Sequence, residues 1–226
     1  WNWSGSGIDL NPHFFNYPAL TFYVMFVVQG IQYLFGHMFG IYSDMLTFGT
    51  SLSTAMIPAR IVIGLFDIGS VMVIYHTGKT FADEKAGLIA AAIVAINPLH
   101  VMQSHYITVD TPLTFFILLA LLYVYRTYQR RSMNHYVAAG ICIGLAAATK
   151  YTGAFLLAVL VIMHLLRSES FAKAIESLVD KRLLFSMLCA IAVFFVLNPY
   201  IILDYDKFKT DFSFEQYHVA EGHLGI

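Results

Sequence analysis

An all-α, polytopic membrane helix bundle is the fold class that this sequence predicts, on three observations. Of its 226 residues, 58% are apolar and 12% charged, with a mean hydropathy of +0.68; soluble domains run at about 45–50% and 25%. The apolar residues come in long runs separated by polar breaks, and a crossing helix needs about 20 such residues. Lys and Arg gather in alternate breaks, as they do in the cytoplasmic loops of membrane proteins. Backbone groups in lipid must bond internally, so the runs read as helices. A formal charge of -1 leaves no basic surface for nucleic acid. Cys142 and Cys189 lie inside apolar runs and supply neither a disulfide framework nor a zinc pattern.

Taken in order, the first run (19–35) is interrupted by Gln29, Gly30 and Gln32. The second (55–75) is a good span containing Arg60 and Asp67, and a polar loop (76–85) follows it. The third (86–102) ends around Pro98, and the fourth (113–125) leads to Arg126, Arg130 and Arg131. Residues 136–166 are too long for one crossing at ~1.5 Å per residue. They divide at Thr149-Lys150-Tyr151-Thr152-Gly153 into two short helices around a tight turn. A charged connector (167–182) precedes the last span, 183–197, which stops at Asn198-Pro199. The expectation is about six crossings. The whole stretch reads as one transmembrane domain cut at both ends: an outer loop and juxtamembrane helix (1–54), crossings (55–200), and the start of another outer loop (201–226).

The basic breaks 126–131 and 167–182 fall on one side, the cytoplasmic one, together with Lys79 and Lys85. Asp110, Lys150 and the tail after Pro199 then face the other side. Parity puts the stretch before Ala55 outside as well. Residues 19–35 then lie along the membrane surface, as their glutamines and aromatic rings suit; the alternative is a true crossing.

The polar stretch NPLHVMQSHYITVDTP, residues 97–112, sits between two apolar runs. Asp110 is its one carboxylate. A carboxylate at a membrane boundary is costly unless solvated or paired, which points to a role; the plainer reading makes it a helix N-cap. Thr111 would cap a helix opening at Pro112. His105 is a base, a phosphate contact, a metal ligand or simply an interfacial ring. Tyr106 shares a face with Asp110 if the segment is helical. Lys150, at a turn between apolar helices, either holds an anionic headgroup or snorkels. His100 reads as structural, and Asp67 as part of a structural charge network, on one helix face with Arg60 but not in direct contact with it. His13, Asn16, Tyr17, His218 and His223 read as polar loop residues that match no strong metal spacing.

Phe15-Asn16-Tyr17-Pro18-Ala19-Leu20, Ala59-Arg60, Asn97-Pro98, Ser104-His105-Tyr106, Asp110-Thr111-Pro112-Leu113, the run 144–151, Asn198-Pro199-Tyr200 and Gly222-His223 occur in a telling order. Together they resemble the GT-C-fold, lipid-phosphate-dependent glycosyltransferases of the protein O-mannosyltransferase and aminoarabinose-transferase superfamily. That resemblance implies a GT-C-like bundle and an inverting transfer of sugar from a polyprenyl- or dolichyl-phosphate donor. The acceptor would be a hydroxyl of a protein, glycolipid or polysaccharide at the outer face of a bacterial or archaeal plasma membrane. It implies Asp110 and His105 as catalytic candidates, and Lys150, Arg60, Tyr106, Asn16, Tyr151 and His223 around the substrates. The family's first catalytic acid would precede Trp1, with Asp9 a poor stand-in. No cofactor is assigned. The divalent cation of the aminoarabinose branch is placed in doubt by Asn16, which stands where that branch has a glutamate. Two other classes compete: a transporter piece, which would put its polar groups near the bilayer midplane, and a non-catalytic assembly subunit, which would leave them dispersed.

Overall fold

The computed structural model describes residues 9–221, other than the side chains of 52–55 and 218–221. Among the described residues the chain is helical, without strands. In order come α1 (Leu20–Met38), α2 (Met45–Thr50), α3 (Leu52–Phe81), α4 (Glu84–Ile96), α5 (Pro98–Ser104) and α6 (Asp110–Gln129). There follow α7 (Met133–Thr149), a 3-10 turn (Tyr151–Phe155), α8 (Leu156–Leu165), α9 (Phe171–Ser177), α10 (Lys181–Leu197), α11 (Tyr200–Leu203) and α12 (Tyr205–Glu221).

The expected runs are all helices. α3 and α6 are long and apolar enough to cross a membrane, and α4–α5 qualifies as a broken pair bent by 62°. α7 and the stretch Tyr151–Leu165 are shorter apolar helices. Leu65, Ile89, Leu188 and many residues like them are more than half exposed. Apolar cover on that scale belongs in lipid, not water. The chain is an integral membrane protein.

The break in the third run has a local cause. Pro98 offers no N–H, and the Asn97 side chain accepts from Leu99 N (3.0 Å) and His100 N (3.2 Å) to start α5 afresh. The loop expected over 76–85 is a correction. α3 continues to Phe81, and Asp83 caps α4 by accepting from Ala86 N at 2.8 Å. Polar residues alone do not end a helix. Thr77 and Thr80 donate back to the carbonyls of Val73 and His76, so the helix carries on past its apolar part.

α7 is the centre of the bundle. Tyr136, Ala139, Cys142, Ile143 and Ala146 pack with Leu113, Ala120 and Val124 of α6, Leu156 and Leu160 of α8, and Leu183 and Ala190 of α10. Small residues let the helices approach: a methyl on Gly140 would sit 2.2 Å from the Ser186 carbonyl oxygen, and one on Gly144 2.7 Å from that of Ala190. A methyl on Gly153 would lie 2.4 Å from the Ala146 carbonyl carbon, so the 3-10 turn can fold back on α7 only without one.

The ends of the bundle are defined by these contacts. Phe81 stacks on Tyr125, while Phe66 meets Phe115 and Phe116, so α3 and α6 run side by side in the same direction. The start of α3 therefore lies at the end that carries Asp110. α1 begins there too: Ala19 N donates to Asn198 Oδ1 (2.6 Å) just past α10. Its last turns meet the approach to α3, where Tyr33 packs on Phe48 and His37 bonds the Tyr42 carbonyl (3.0 Å).

Candidate active site

Asp110 opens α6 and Lys150 closes α7. The helix dipole favours an anion at the first position and a cation at the second. α6 and α7 are the arms of one hairpin turning at residues 130–132, so its open end brings the two together. Lys150 Nζ donates to Asp110 Oδ1 at 2.9 Å, with the side chains 31% and 47% exposed respectively. The N-cap readings are corrected. α6 is preceded by Val109 with no side-chain cap, and the Asp110 carboxylate goes to Lys150 instead. Thr111 lies inside the first turn rather than ahead of it, buried.

Residues 9–19 fold over this pair. Lys150 Nζ stands 5.7 Å from the centre of the Tyr17 ring, a cation–π distance. Tyr151 donates its hydroxyl to the Phe15 carbonyl (2.9 Å), while Phe15 N donates to Asp211 of α12 (3.0 Å). Asn16 Nδ2 donates to Glu215 Oε2 (3.2 Å). Lys207 holds the other oxygen of Asp211 at 2.6 Å. Asp110, Lys150, Tyr151 and Asn16 are thus brought to one end of the bundle by α6, α7, α12 and the loop before α1. Asp9 belongs to a neighbouring knot: it bonds His13 Nε2 (2.8 Å) and Asn11 N (2.9 Å), and Asn11 reaches Asp204 (2.7 Å). The His13 ring and the Asn11 N–H hold the Asp9 carboxyl below the usual range.

Three other expected positions make no hydrogen bond or ion pair with Asp110 or Lys150 among the described residues. His105 is exposed at the end of α5, its Nδ1 2.7 Å from the Val101 carbonyl. The helical face expected to join Tyr106 and Asp110 does not form, because residues 105–109 separate α5 from α6, and Tyr106 is exposed. Arg60 is exposed on α3 with no ion pair among the described residues. His223 lies outside the described residues. No group of three His, Cys, Asp or Glu side chains gathers as a metal centre among the described residues.

A cleft of about 390 Å³ opens beside Asp110, between the α4–α5 bend and α6. Its wall includes His100, whose Nε2 is 2.5 Å from Asp67 Oδ1 of α3, close enough for an ion pair but not aligned as a hydrogen bond. Asp67, read as part of a structural charge network, thus faces His100. The sequence reading took this histidine as structural; its position one turn past the Asn97-Pro98 break was the signal for its place in the cleft wall. Tyr17 was read only as a polar loop residue and part of the motif at 15–20, and Glu215 left no signal, because the meeting of the loop before α1 with α12 is set by tertiary folding.

No curated protein and no solved structure matches this chain. The family model described as dolichyl-phosphate-mannose-protein mannosyltransferase matches residues 41–201, which hold α3 to α10, Asp110 and Lys150. An all-helical membrane bundle, a half-exposed acid–base pair at one end and a match over most of the chain agree: it belongs to the dolichyl-phosphate-mannose-protein mannosyltransferase family, membrane glycosyltransferases of the GT-C type.

Proposed function

We propose that this chain forms the core of an inverting glycosyltransferase that takes its sugar from a dolichyl- or polyprenyl-phosphate donor and places it on an acceptor hydroxyl at the extracytoplasmic face. The observation that carries the reading is the Lys150–Asp110 pair, 2.9 Å apart at the mouth of the cleft. A lipid phosphate leaving group develops negative charge as the glycosidic bond breaks, and a positioned ammonium stabilises it. The attacking hydroxyl needs a base within hydrogen-bond reach. In the unliganded pair each group occupies the other. An arriving donor phosphate competes for the Lys150 ammonium, and Asp110 is then free to receive the acceptor hydroxyl. Tyr17, stacked under Lys150, limits where the ammonium goes.

The distribution of charge supports this side of the membrane. Arg126, Arg130, Arg131, Arg167, Lys173, Lys181 and Arg182 sit at the end of the bundle away from Asp110, and that excess marks the cytoplasm. Both ends of α1 are tied to the Asp110 end, which supports a helix lying along the surface. The acceptor is a hydroxyl of a protein, glycolipid or polysaccharide.

The test is stereochemical. Full-length protein is given dolichyl-phosphate-mannose and a hydroxyl acceptor, and the anomeric configuration of the product is assigned by NMR. Inversion is expected, and a retained configuration rules the mechanism out.

A further inference from the structure

The cleft holds polar groups that the fold leaves unused. Thr111 is 2% exposed, yet its Oγ1 has no hydrogen-bond partner. Buried hydroxyls are rarely left so. The usual remedy, donation to the carbonyl four residues back, fails because residue 107 precedes the helix; Thr114, three residues on, uses that remedy with the Asp110 carbonyl (2.9 Å). The His100 imidazole faces the same cleft and touches no polar group but Asp67. The side chain of Gln103, half-buried in the same wall, makes no hydrogen bond among the described residues. An apolar polyprenyl tail has no use for these groups. A ring carrying several hydroxyls does, and a volume of about 390 Å³ is in the range of small-molecule sites.

We propose that the cleft is a polyol subsite seating the transferred sugar, with Thr111 Oγ1 and the His100 ring as its hydroxyl ligands and Asp67 as the positioning residue that orients His100. This rests on the reading that Lys150 holds the donor phosphate. The sugar is joined to that phosphate through one oxygen, and Asp110 stands between Lys150 and the cleft, so the ring falls where Asp110 and the cleft wall meet. An acceptor hydroxyl shares this chemistry; the geometry favours the donor sugar because a single hydroxyl would leave the other polar side chains of the wall without a partner.

The experiment measures binding of dolichyl phosphate and of dolichyl-phosphate-mannose to full-length protein, together with steady-state constants for donor and acceptor. Thr111→Val and His100→Ala are expected to weaken the mannose-bearing donor by roughly 10-fold, the weight of one or two lost polar contacts, with sugar-free dolichyl phosphate unaffected. Thr111→Ser keeps the hydroxyl and restores donor binding, which a packing defect would not. Asp67→Asn raises donor KM with a smaller change in kcat. In the wild type, a donor analogue lacking the hydroxyl that Thr111 reads binds about 10-fold worse than the parent; in Thr111→Val the two bind alike. If Thr111→Val still binds mannose donor and dolichyl phosphate as the wild type does, the subsite is wrong while the phosphate reading stands. A change in acceptor KM alone overturns it in favour of an acceptor site. A wild type that binds neither lipid sinks the phosphate reading first.

Discussion

At the end of the bundle away from Asp110, Arg182 is held on three sides: it bonds both oxygens of Asp180 (2.8 and 3.1 Å) and the Arg131 carbonyl (2.7 Å). Nearby, buried Tyr136 donates to or accepts from His164 Nδ1 (2.5 Å), and His164 Nε2 meets the Ser177 carbonyl (3.0 Å). At the other end Lys150 has one carboxylate oxygen and the face of a ring, while Thr111 Oγ1 and the His100 ring keep unspent hydrogen-bonding capacity. Both ends carry an ion pair and a histidine. The Tyr136 and Arg182 bonds tie α7, α8, α9 and α10 together, with Arg131 Nε and His135 Nδ1 nearby left without a partner among the described residues; at the Asp110 end the unspent groups lie beside a cleft. Networks that are complete rigidify a fold, and incomplete ones are expensive unless something fills them.

The contrast can be broken by substitutions whose effects should differ in kind. The largest expected effect is Asp110→Asn, which removes the proposed base and should cut sugar transfer by ~10²–10⁴ without moving the unfolding temperature. Wild-type turnover in that variant would end the catalytic reading. Lys150→Ala should lower kcat/KM for the lipid donor by roughly 10–100-fold, the worth of one charged hydrogen bond, and weaken dolichyl phosphate binding in parallel. At the end away from Asp110 the readout is stability. Gly140→Val drives a side chain into the Ser186 carbonyl and should cost about 1–3 kcal/mol, seen as a lower Tm in detergent. Tyr136→Phe strands His164 Nδ1 in the core for about 1–3 kcal/mol; a variant that loses donor affinity instead of stability would contradict the division of labour.

Asp180→Asn gives the smallest effect and a pH signature. Its hydrogen bonds to Arg182 hold the Asp180 carboxyl below the usual carboxylate range. A lowered folded value stabilises above the unfolded value of about 3.9, and that contribution is lost as the pH falls through the folded value. The wild type should therefore lose on the order of 1 kcal/mol or less on acidification through this window, and Asp180→Asn should show a flatter acid limb. Acid-limb melts of both proteins would read this directly.

Much of the fold was legible because each signal was local. The break at Asn97-Pro98 depends on one missing N–H and one side-chain cap. The turn at Lys150 depends on a run too long to cross once, with Gly153 where the chain must fold back. The loop expected over 76–85 was misread, because polarity was taken for a helix stop when only Ala82 and Asp83 lie between the helices. The placement of Asp110 and Lys150 at one end of the bundle was also legible, as charges beside apolar runs. That they touch was an expectation resting on which side of the membrane each would face.

By itself the sequence determined an all-helical membrane bundle, its breaks at Asn97-Pro98 and Lys150, and the end of the bundle to which Asp110, Lys150 and the basic residues of 126–131 and 167–182 go. These depend on backbone hydrogen bonding in lipid and on charge near its boundary, both of which act residue by residue. Only the tertiary structure decided which charges meet: Asp110 with Lys150, Asp67 with His100, Asp211 with the backbone of Phe15. Such pairs depend on the rotation and level of one helix against its neighbour. Those are set by close approaches such as Gly140 and Gly144 against α10, through distances that no single stretch of chain contains.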